Sequence, residues 1–157
     1  MKLDYLSWAD RTWPALIRLM GGHAKVYRAT NGLIGHRVPG APEMLLLDHV
    51  GAKSGTHRTS PLVFARDPLS QGAGGSDVIL IASKGGYPKN PAWFHNLMAN
   101  PDTTIQIGSK RMPVRAREAK PEEYDRLWKL AVGVYKGYEE YRRRTERQIP
   151  LVVLEPR

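Results

Sequence analysis

A chain of 157 residues with 41% hydrophobic and 25% charged residues is long enough to bury one core, and this composition excludes wholesale disorder. No apolar run approaches the roughly 20 residues that a membrane-spanning helix requires, and the absence of cysteine excludes disulfides, thiolate chemistry and cysteine-based zinc sites. Because the first ten residues carry two aspartates and no apolar signal segment, we expect a cytosolic protein.

The net charge is strongly positive. The 24 Lys and Arg residues stand against 15 Asp and Glu residues, which gives a formal net charge of +9. A field of this sign attracts nucleic acid, anionic lipid or a polyanionic small molecule, although a basic chain of this size often has only a solvated surface. The placement of the basic residues therefore carries more information than their number.

Residues 1–40 form a basic segment that we expect to be amphipathic and helical. The pattern predicts one helix over Trp13–Met20, with Pro14 in its first turn and Gly21-Gly22 at its end, and a second helix over His23–Thr30. The apolar side chains of the segment include Trp8, Trp13, Leu16, Ile17, Leu19 and Met20. Two interpretations remain open: a helix packed on the body of the domain, or an interfacial helix on anionic lipid.

The chain is expected to form a single domain, and residues 41–157 make up its main part. Pro61 is expected to make the first part of the second strand an edge or a bulge. The connections include a flexible hairpin loop over Arg66–Asp77 and a two-residue hairpin at Gly108-Ser109. The expected strands are short apolar or alternating runs at Met44–Val50, Thr59–Ala65, Val78–Ala82, Thr103–Ile107, Met112–Ala116 and Leu151–Leu154.

Three further helices are expected among these strands. Asn90 is the predicted N-cap of a helix over Pro91–Ala99, a second helix runs over Pro121–Val132, and a basic third helix covers Tyr138–Arg147. Neighbouring strands joined by hairpins favour an α+β, mainly β fold, in which six mostly antiparallel strands close into a small barrel. A doubly wound parallel fold is excluded because strands and helices do not alternate throughout.

The loop between the first two strands is basic and contains glycine. Gly51–Leu62 reads G-A-K-S-G-T-H-R-T-S-P-L and offers Lys53, Ser54 and Arg58. Basic side chains and hydroxyls beside glycines suit phosphate or carboxylate groups, which arginine binds bidentately. The spacing is not that of a P-loop. An anion site and an exposed hairpin both remain compatible with this loop.

A second basic loop follows the third strand. Ser83–Asn100 reads S-K-G-G-Y-P-K-N-P-A-W-F-H-N-L-M-A-N, and it places Lys84 and Gly85-Gly86 before a helix N-terminus. Glycines let backbone N–H groups approach a ligand, and the lysine and the helix N-terminus add positive charge, so the stretch predicts an anion site. On the helix, Trp93 is either a platform for a flat ring or a core residue, and Asn96 is either a ligand-binding amide or a local cap.

Three tyrosines are spaced by three residues near the end of the chain. Tyr135, Tyr138 and Tyr141 would lie near one face of a helix, although Gly137 interrupts the stretch. The pattern indicates either a packing face or an aromatic wall over a cofactor, with a phenol able to donate a proton. The five histidines lack metal-ligand spacing, and acidic neighbours partly neutralise Arg142–Arg144. We therefore expect neither a metal site nor nucleic-acid binding.

The two loops resemble those of the deazaflavin-dependent nitroreductase and quinone reductase family of actinobacteria. Two further stretches near the C-terminal end share this resemblance, Y-K-G-Y-E-E-Y and R-Q-I-P-L-V-V-L-E-P. The resemblance runs in the same order from about Met44 to Pro156. It implies a split β-barrel of the FMN-binding type. It also implies hydride transfer from reduced coenzyme F420 to quinones, nitroaromatics or similar activated unsaturated acceptors.

The resemblance also implies roles for individual residues. The phosphate and the acidic oligoglutamate tail of F420 would be held by Lys53, Ser54, Arg58 and Lys84, with Gly85 and Gly86. The deazaflavin would be bordered by Pro61, Ser83, Trp93 and Asn96. The substrate-side tyrosines would be Tyr135, Tyr138 and Tyr141, and the candidates for catalysis are Tyr138, Tyr135 and Ser83.

Other functions stay open at this point. One alternative is an FMN- or haem-binding split barrel or a non-catalytic F420 carrier, and another is a basic nucleic-acid or lipid-binding module. The concentration of basic residues in glycine-containing loops, rather than along one helix, favours the enzyme. The tryptophans and the basic bias of residues 1–40 further suggest a peripheral position at the inner face of the cell membrane, near a lipid quinone.

Overall fold

The computed structural model describes residues 2–37, 39–72 and 74–157, and the side chains of residues 2–9, 17 and 71 lie outside that description. A short 3-10 turn, Lys84–Gly86, follows the third strand. The described elements are, in chain order, α1 (Lys2–Ala29), β1 (Met44–Val50), β2 (His57–Gly72), β3 (Gly75–Ile81), α2 (Ala92–Ala99), β4 (Asp102–Ile107), β5 (Lys110–Glu118), α3 (Pro121–Val134), α4 (Gly137–Arg144) and β6 (Leu151–Pro156).

The strands of the described chain form one closed barrel. Their order around it is β1-β2-β3-β6-β5-β4, and each neighbouring pair is antiparallel. The turn at Gly108-Ser109 joins β4 to β5 by pairing Ile107 with Lys110, as the sequence predicts. The predicted six-stranded antiparallel barrel with flanking helices is therefore confirmed.

Side chains of β1 alternate between the inside and the outside of the barrel. Leu45 and Leu47 are buried in the interior cluster, whereas Leu46 packs against Ala24 and Tyr27 of α1. Because both faces of the strand are covered, its sequence is a continuous apolar run rather than an alternating one. Burial of each leucine stabilises the fold by roughly 1.5–3 kcal/mol.

The other helices cover two further surfaces. The helix α2 contributes Trp93, Phe94 and Leu97 to the interior cluster. On the outer face of β2, β3 and β6, the helices α3 and α4 bury a separate apolar cluster, which includes Leu127 and Tyr138. The barrel interior and this outer cluster are thus distinct, and the candidate site residues are divided between them.

The N-terminal segment is one helix, so the prediction of two helices was wrong. The helix α1 continues through Gly21-Gly22, and Pro14 lies inside it rather than in its first turn. Each helical glycine costs roughly 1 kcal/mol relative to alanine, but the continuous helix brings Tyr27 against the barrel. The Tyr27 hydroxyl donates to the Met44 carbonyl at 3.0 Å and accepts from the Gly108 amide at 2.8 Å. Tertiary contacts therefore override the local stop signal.

The segment Arg66–Asp77 is largely strand, and the prediction of a flexible loop there was wrong. The strand β2 extends to Gly72, and β3 begins at Gly75. Asp67 is buried within the extension, and its carboxylate pairs with the Arg126 guanidinium of α3 at 2.7 Å. An ion pair with a distant helix thus stabilises a strand whose own sequence is typical of a loop.

The predicted cap of α2 was also wrong. The helix begins at Ala92 with Pro91 at its N-cap position, and no side chain caps it. The Asn90 side chain instead accepts a hydrogen bond from Arg147 at 2.8 Å. Because α4 ends at Arg144, Arg147 lies beyond the helix in which the sequence places it.

Candidate coenzyme-binding site

The first basic loop is a compact turn between β1 and β2. The Gly51 amide donates to the Thr56 carbonyl and the Gly55 amide to the Gly51 carbonyl, both at 2.9 Å. The Ser54 hydroxyl accepts from the Thr56 amide at 3.2 Å, so part of its capacity is used within the turn. The side chains of Lys53 and Arg58 are exposed. Two cations are therefore presented to solvent from an ordered backbone.

Asn96 connects this turn to α2. Its Oδ1 accepts from the Ala52 amide, and its Nδ2 donates to Nδ1 of His49, each at 2.9 Å. Since Nδ1 of the neutral imidazole accepts, Nε2 carries the proton and donates to the Ser60 hydroxyl at 2.9 Å. Both ends of the Asn96 amide are thus engaged by the protein, and the bonds hold the basic turn against α2.

His49 is a buried neutral residue of this network. Burial, with a smaller effect of the nearby Arg58 charge, lowers its pKa to about 4. The sequence shows only that the five histidines lack metal-ligand spacing, and the bonds of His49 to Asn96 and Ser60 were not predicted from it. The signal was present, because the strand alternation puts His49 on the same inward face as Leu45 and Leu47.

The second basic loop, Ser83–Asn90, has three successive residues in the left-handed region. The φ angles are 46° at Lys84, 63° at Gly85 and 83° at Gly86. A Cβ at Gly86 would lie only 2.6 Å from the Tyr141 carbonyl oxygen, so α4 packs directly on this turn. Glycine is required there for both backbone conformation and space. The loop and the tyrosine segment, distant in sequence, are neighbours in the fold.

The Lys84 ammonium lies between two aromatic rings. Its Nζ is 5.0 Å from the Trp13 ring centroid and 4.3 Å from that of Tyr87, within cation–π range. The Tyr87 hydroxyl donates to Asp10 of α1 at 2.8 Å. Burial is the main cause of a lowered Lys84 pKa, and the positive charge of Lys89 acts in the same direction. The helix α1 therefore reaches the second basic loop.

Pro61 lies in the part of β2 that pairs with β1, and Ser83 follows β3. The strand β1 pairs with the first half of β2, and β3 pairs with β2 only from Phe64 onward. Pro61 thus has a partner strand on one side only, which confirms its predicted edge character. Ser83 is buried just beyond the end of β3, where the backbone has left the extended conformation (φ −78°, ψ −38°).

Trp93 lies in the interior cluster of the barrel and is almost fully buried. It packs with residues such as Leu45 and Phe94, so its location is that of a core residue. Its neighbour along the helix, Asn96, bonds to the first basic turn. The helix α2 thus links the barrel core to both loops, because the second loop leads directly into it.

The three tyrosines form one aromatic cluster, although Tyr135 precedes α4. The ring of Tyr138 is 5.1 Å from that of Tyr135 and 6.0 Å from that of Tyr141, and the Tyr135 and Tyr141 hydroxyls are 3.2 Å apart. Tyr138 is only 5% exposed, and burial raises its pKa well above the ordinary value. The cluster packs on Trp128 of α3, outside the barrel interior that holds Trp93.

Comparisons with known proteins identify the family of this chain. A sequence model described as F420H(2)-dependent quinone reductase matches residues 19–156. The chain belongs to this family. An F420H(2)-dependent quinone reductase of Mycobacterium tuberculosis (strain ATCC 25618 / H37Rv) is 43% identical over 155 residues, which cover 97% of this chain and 98% of the relative.

Two solved structures extend the comparison for this F420H(2)-dependent quinone reductase family member. One, described as an F420-H2 dependent reductase (FDR-A), is 40% identical, and the match covers 71% of this chain and 93% of the chain in that structure, with a TM-score of 0.62. Another, described as a domain-swapped dimer, is 34% identical, and the match covers 94% of this chain and 98% of the chain in that structure, with a TM-score of 0.66. The likeness therefore extends over the fold as well as the sequence.

The side chains at the two loops fit the coenzyme of the quinone reductase family. F420 carries a phosphate and several carboxylates, and the loops present Lys53, Arg58 and Lys84 on glycine-containing backbone. Within the described residues, no group of three or more His, Asp or Glu side chains that could hold a metal ion is found. Cationic side chains on glycine-containing backbone are groups that can bind such an anionic coenzyme.

Proposed function

We propose that this protein transfers a hydride from reduced coenzyme F420 to a quinone, and that nitroaromatics or similar activated acceptors can replace the quinone. The observation that carries this proposal is that both basic loops adjoin α2: the first is hydrogen-bonded to it, and the second leads into it. The chain that has this arrangement belongs to the F420H(2)-dependent quinone reductase family. The bound coenzyme supplies the hydride. The protein therefore has to bind and orient its partners and deliver a proton.

The residues have separate tasks in this proposal. Lys53, Arg58 and Lys84 bind the phosphate and the acidic tail, with Ser54 and the amides of Gly85-Gly86 as further donors. Pro61, Ser83, Trp93 and Asn96 border the deazaflavin. A quinone that accepts a hydride becomes a hydroquinone anion and needs one proton. The tyrosine cluster beside the second loop lies on the acceptor side in this arrangement.

Loss of reduced F420, followed optically with menadione, longer quinones and nitroaromatics, tests the function. We expect turnover with quinones and no turnover when reduced FMN replaces the deazaflavin. Titration of the protein with F420, FMN and haem separates the alternatives. Binding of FMN or haem alone would contradict the proposal, and F420 binding without turnover of any acceptor would indicate a carrier.

Tyr138 is the proposed proton donor, because its phenol ring contacts both other rings of the tyrosine cluster, which packs beside the second basic loop. In Tyr138→Phe we expect kcat with quinone to fall about a hundredfold, the usual scale for loss of a general acid, with unchanged affinity for F420. The matched control is Tyr124→Phe, which removes a hydroxyl that donates to the Ile149 carbonyl at 2.7 Å in the same cluster. Equal kcat values for the Tyr138 variant and the unmodified protein would show that Tyr138 does not donate the proton.

We also propose that residues 1–40 attach the protein to an anionic membrane surface. Leu19 of α1 is 71% exposed and Leu33, just beyond the helix, is 88% exposed; Leu16, Val26 and Ile34 are exposed as well. Exposed basic residues such as Arg18 and Lys25 accompany this apolar surface. None of the helices that the structure describes is long and apolar enough to span a membrane. The side chain of Trp8, another reason for the proposal, lies outside the described residues.

Vesicle flotation at low salt tests this attachment. We expect the protein to float with anionic vesicles and to remain in solution with zwitterionic ones. The double variant Leu19→Glu/Leu33→Glu should reduce anionic binding at least about tenfold, because two exposed leucines no longer enter the interface. The control Leu69→Glu changes a leucine of β2 that is 76% exposed and should bind normally. Equal flotation of the double variant and the control would refute the proposed surface.

A further inference from the structure

Arg147 binds four oxygen atoms of the segment that contains the second basic loop. Its Nη2 donates to the Ser83 carbonyl at 2.8 Å and to the Ala82 carbonyl at 3.2 Å. Its Nε donates to the Tyr87 carbonyl and its Nη1 to Oδ1 of Asn90, both at 2.8 Å. One planar guanidinium therefore ties the start of the loop to its end.

These hydrogen bonds also determine which way the backbone N–H groups of the loop point. In a planar trans peptide the C=O and the following N–H point in opposite directions. The N–H groups of Ser83 and Lys84 consequently point away from Arg147. Across residues 2–37, 39–72 and 74–157, neither of these two groups donates to a backbone carbonyl. Two backbone donors therefore lie on the side of the loop that faces away from Arg147.

The charge of Arg147 is not cancelled by a carboxylate partner within the described residues. Its guanidinium is half-buried, and burial lowers its pKa. Burial is the main cause of the lowered Lys84 pKa; the charge of Asp10 opposes it, and the charges of Lys89 and Arg147 add to it. A half-buried cation without a counter-ion is costly. An anion bound at the loop would offset this cost.

We propose that Arg147 is a positioning residue for the coenzyme. It holds the loop so that the outward-facing amides of Ser83 and Lys84 can donate to the phosphate or a carboxylate of F420. This inference rests on the proposed function and adds to it a residue outside the two loops. Arg147 need not touch the coenzyme, because its donors are already bound to the loop.

Fluorescence titration with oxidised F420 tests the inference in three variants. We expect Arg147→Met to raise Kd at least about tenfold, on the scale of losing charge-assisted hydrogen bonds. Arg147→Lys keeps the charge but lacks the planar fork, so it should recover only part of the affinity. The control Arg143→Met removes an exposed arginine of α4, 3.9 Å from Glu140, and should bind within twofold of the unmodified protein.

Hydrogen exchange of the coenzyme-free protein provides a second measurement. Amides of residues 83–90 should exchange faster in Arg147→Met than in the control, while barrel amides remain protected. If Arg147→Met does not fold, Asn90→Ala removes one of the four acceptors and should raise Kd about threefold. Unchanged affinity in Arg147→Met or Asn90→Ala, or full recovery in Arg147→Lys, would overturn the inference. Failure of the unmodified protein to bind F420 would instead refute the proposed function.

Discussion

The double variant Lys53→Ala/Arg58→Ala is expected to bind F420 at least about a hundredfold more weakly than the unmodified protein. Each side chain is exposed and offers a charge-assisted hydrogen bond to the phosphate or the acidic tail, and each such bond contributes roughly 1.5–3 kcal/mol. The measurement is a fluorescence titration at two salt concentrations, because a Coulombic contribution weakens as ionic strength rises.

The matched control for this experiment is Lys110→Ala/Lys129→Ala. It removes the same two units of charge from exposed positions on β5 and α3, away from both basic loops. We expect its affinity for F420 to stay within about threefold of normal, the size of a weak long-range field effect. Equal losses in the two double variants would assign the effect to net charge and would contradict direct binding by the first loop.

Acid is expected to destabilise the fold through His49. Its pKa is lowered from 6.5 to about 4, so between these values the unfolded chain binds a proton that the folded protein does not. The contribution of His49 to the free energy of unfolding should therefore be fully present above pH 6.5, and about 3 kcal/mol of it should be lost as the pH drops to 4 and below. Urea denaturation at intervals between pH 7 and pH 4 measures this loss.

The variant His49→Gln separates this contribution from those of the carboxyl groups. Glutamine cannot be protonated, so the variant should be less stable at pH 7 but should lose less stability on acidification. His57→Gln changes an exposed histidine at the start of β2 and should follow the unmodified protein. Parallel stability curves for His49→Gln and the unmodified protein between pH 6.5 and 4 would refute the role of His49.

The barrel was predictable because its signals are local and agree with each other. The leucine run of β1 indicates a strand covered on both faces, and the structure has the barrel interior on one side and α1 on the other. The Gly108-Ser109 pair predicts a two-residue hairpin, and the ladder on either side has that register. The order of strands and hairpins leaves few other closed arrangements.

Predictions failed where distant partners override local propensity. The glycines at 21 and 22 indicate a helix end, yet α1 continues because Tyr27 then reaches Met44 and Gly108. The loop signals within Arg66–Asp77 are overridden by the buried pair of Asp67 with α3. In each case a side chain far along the sequence contributes more than the local preference costs.

The sequence by itself determined the barrel, the two basic loops and the family, because charge, glycine content and strand pattern are properties of short segments. Only the tertiary structure decided how the loops are held. Asn96 meets His49 across 47 residues, and Arg147 meets Ser83 across 64. A hydrogen bond needs a partner within about 3 Å in the right direction, and for residues so far apart only the folded barrel provides it.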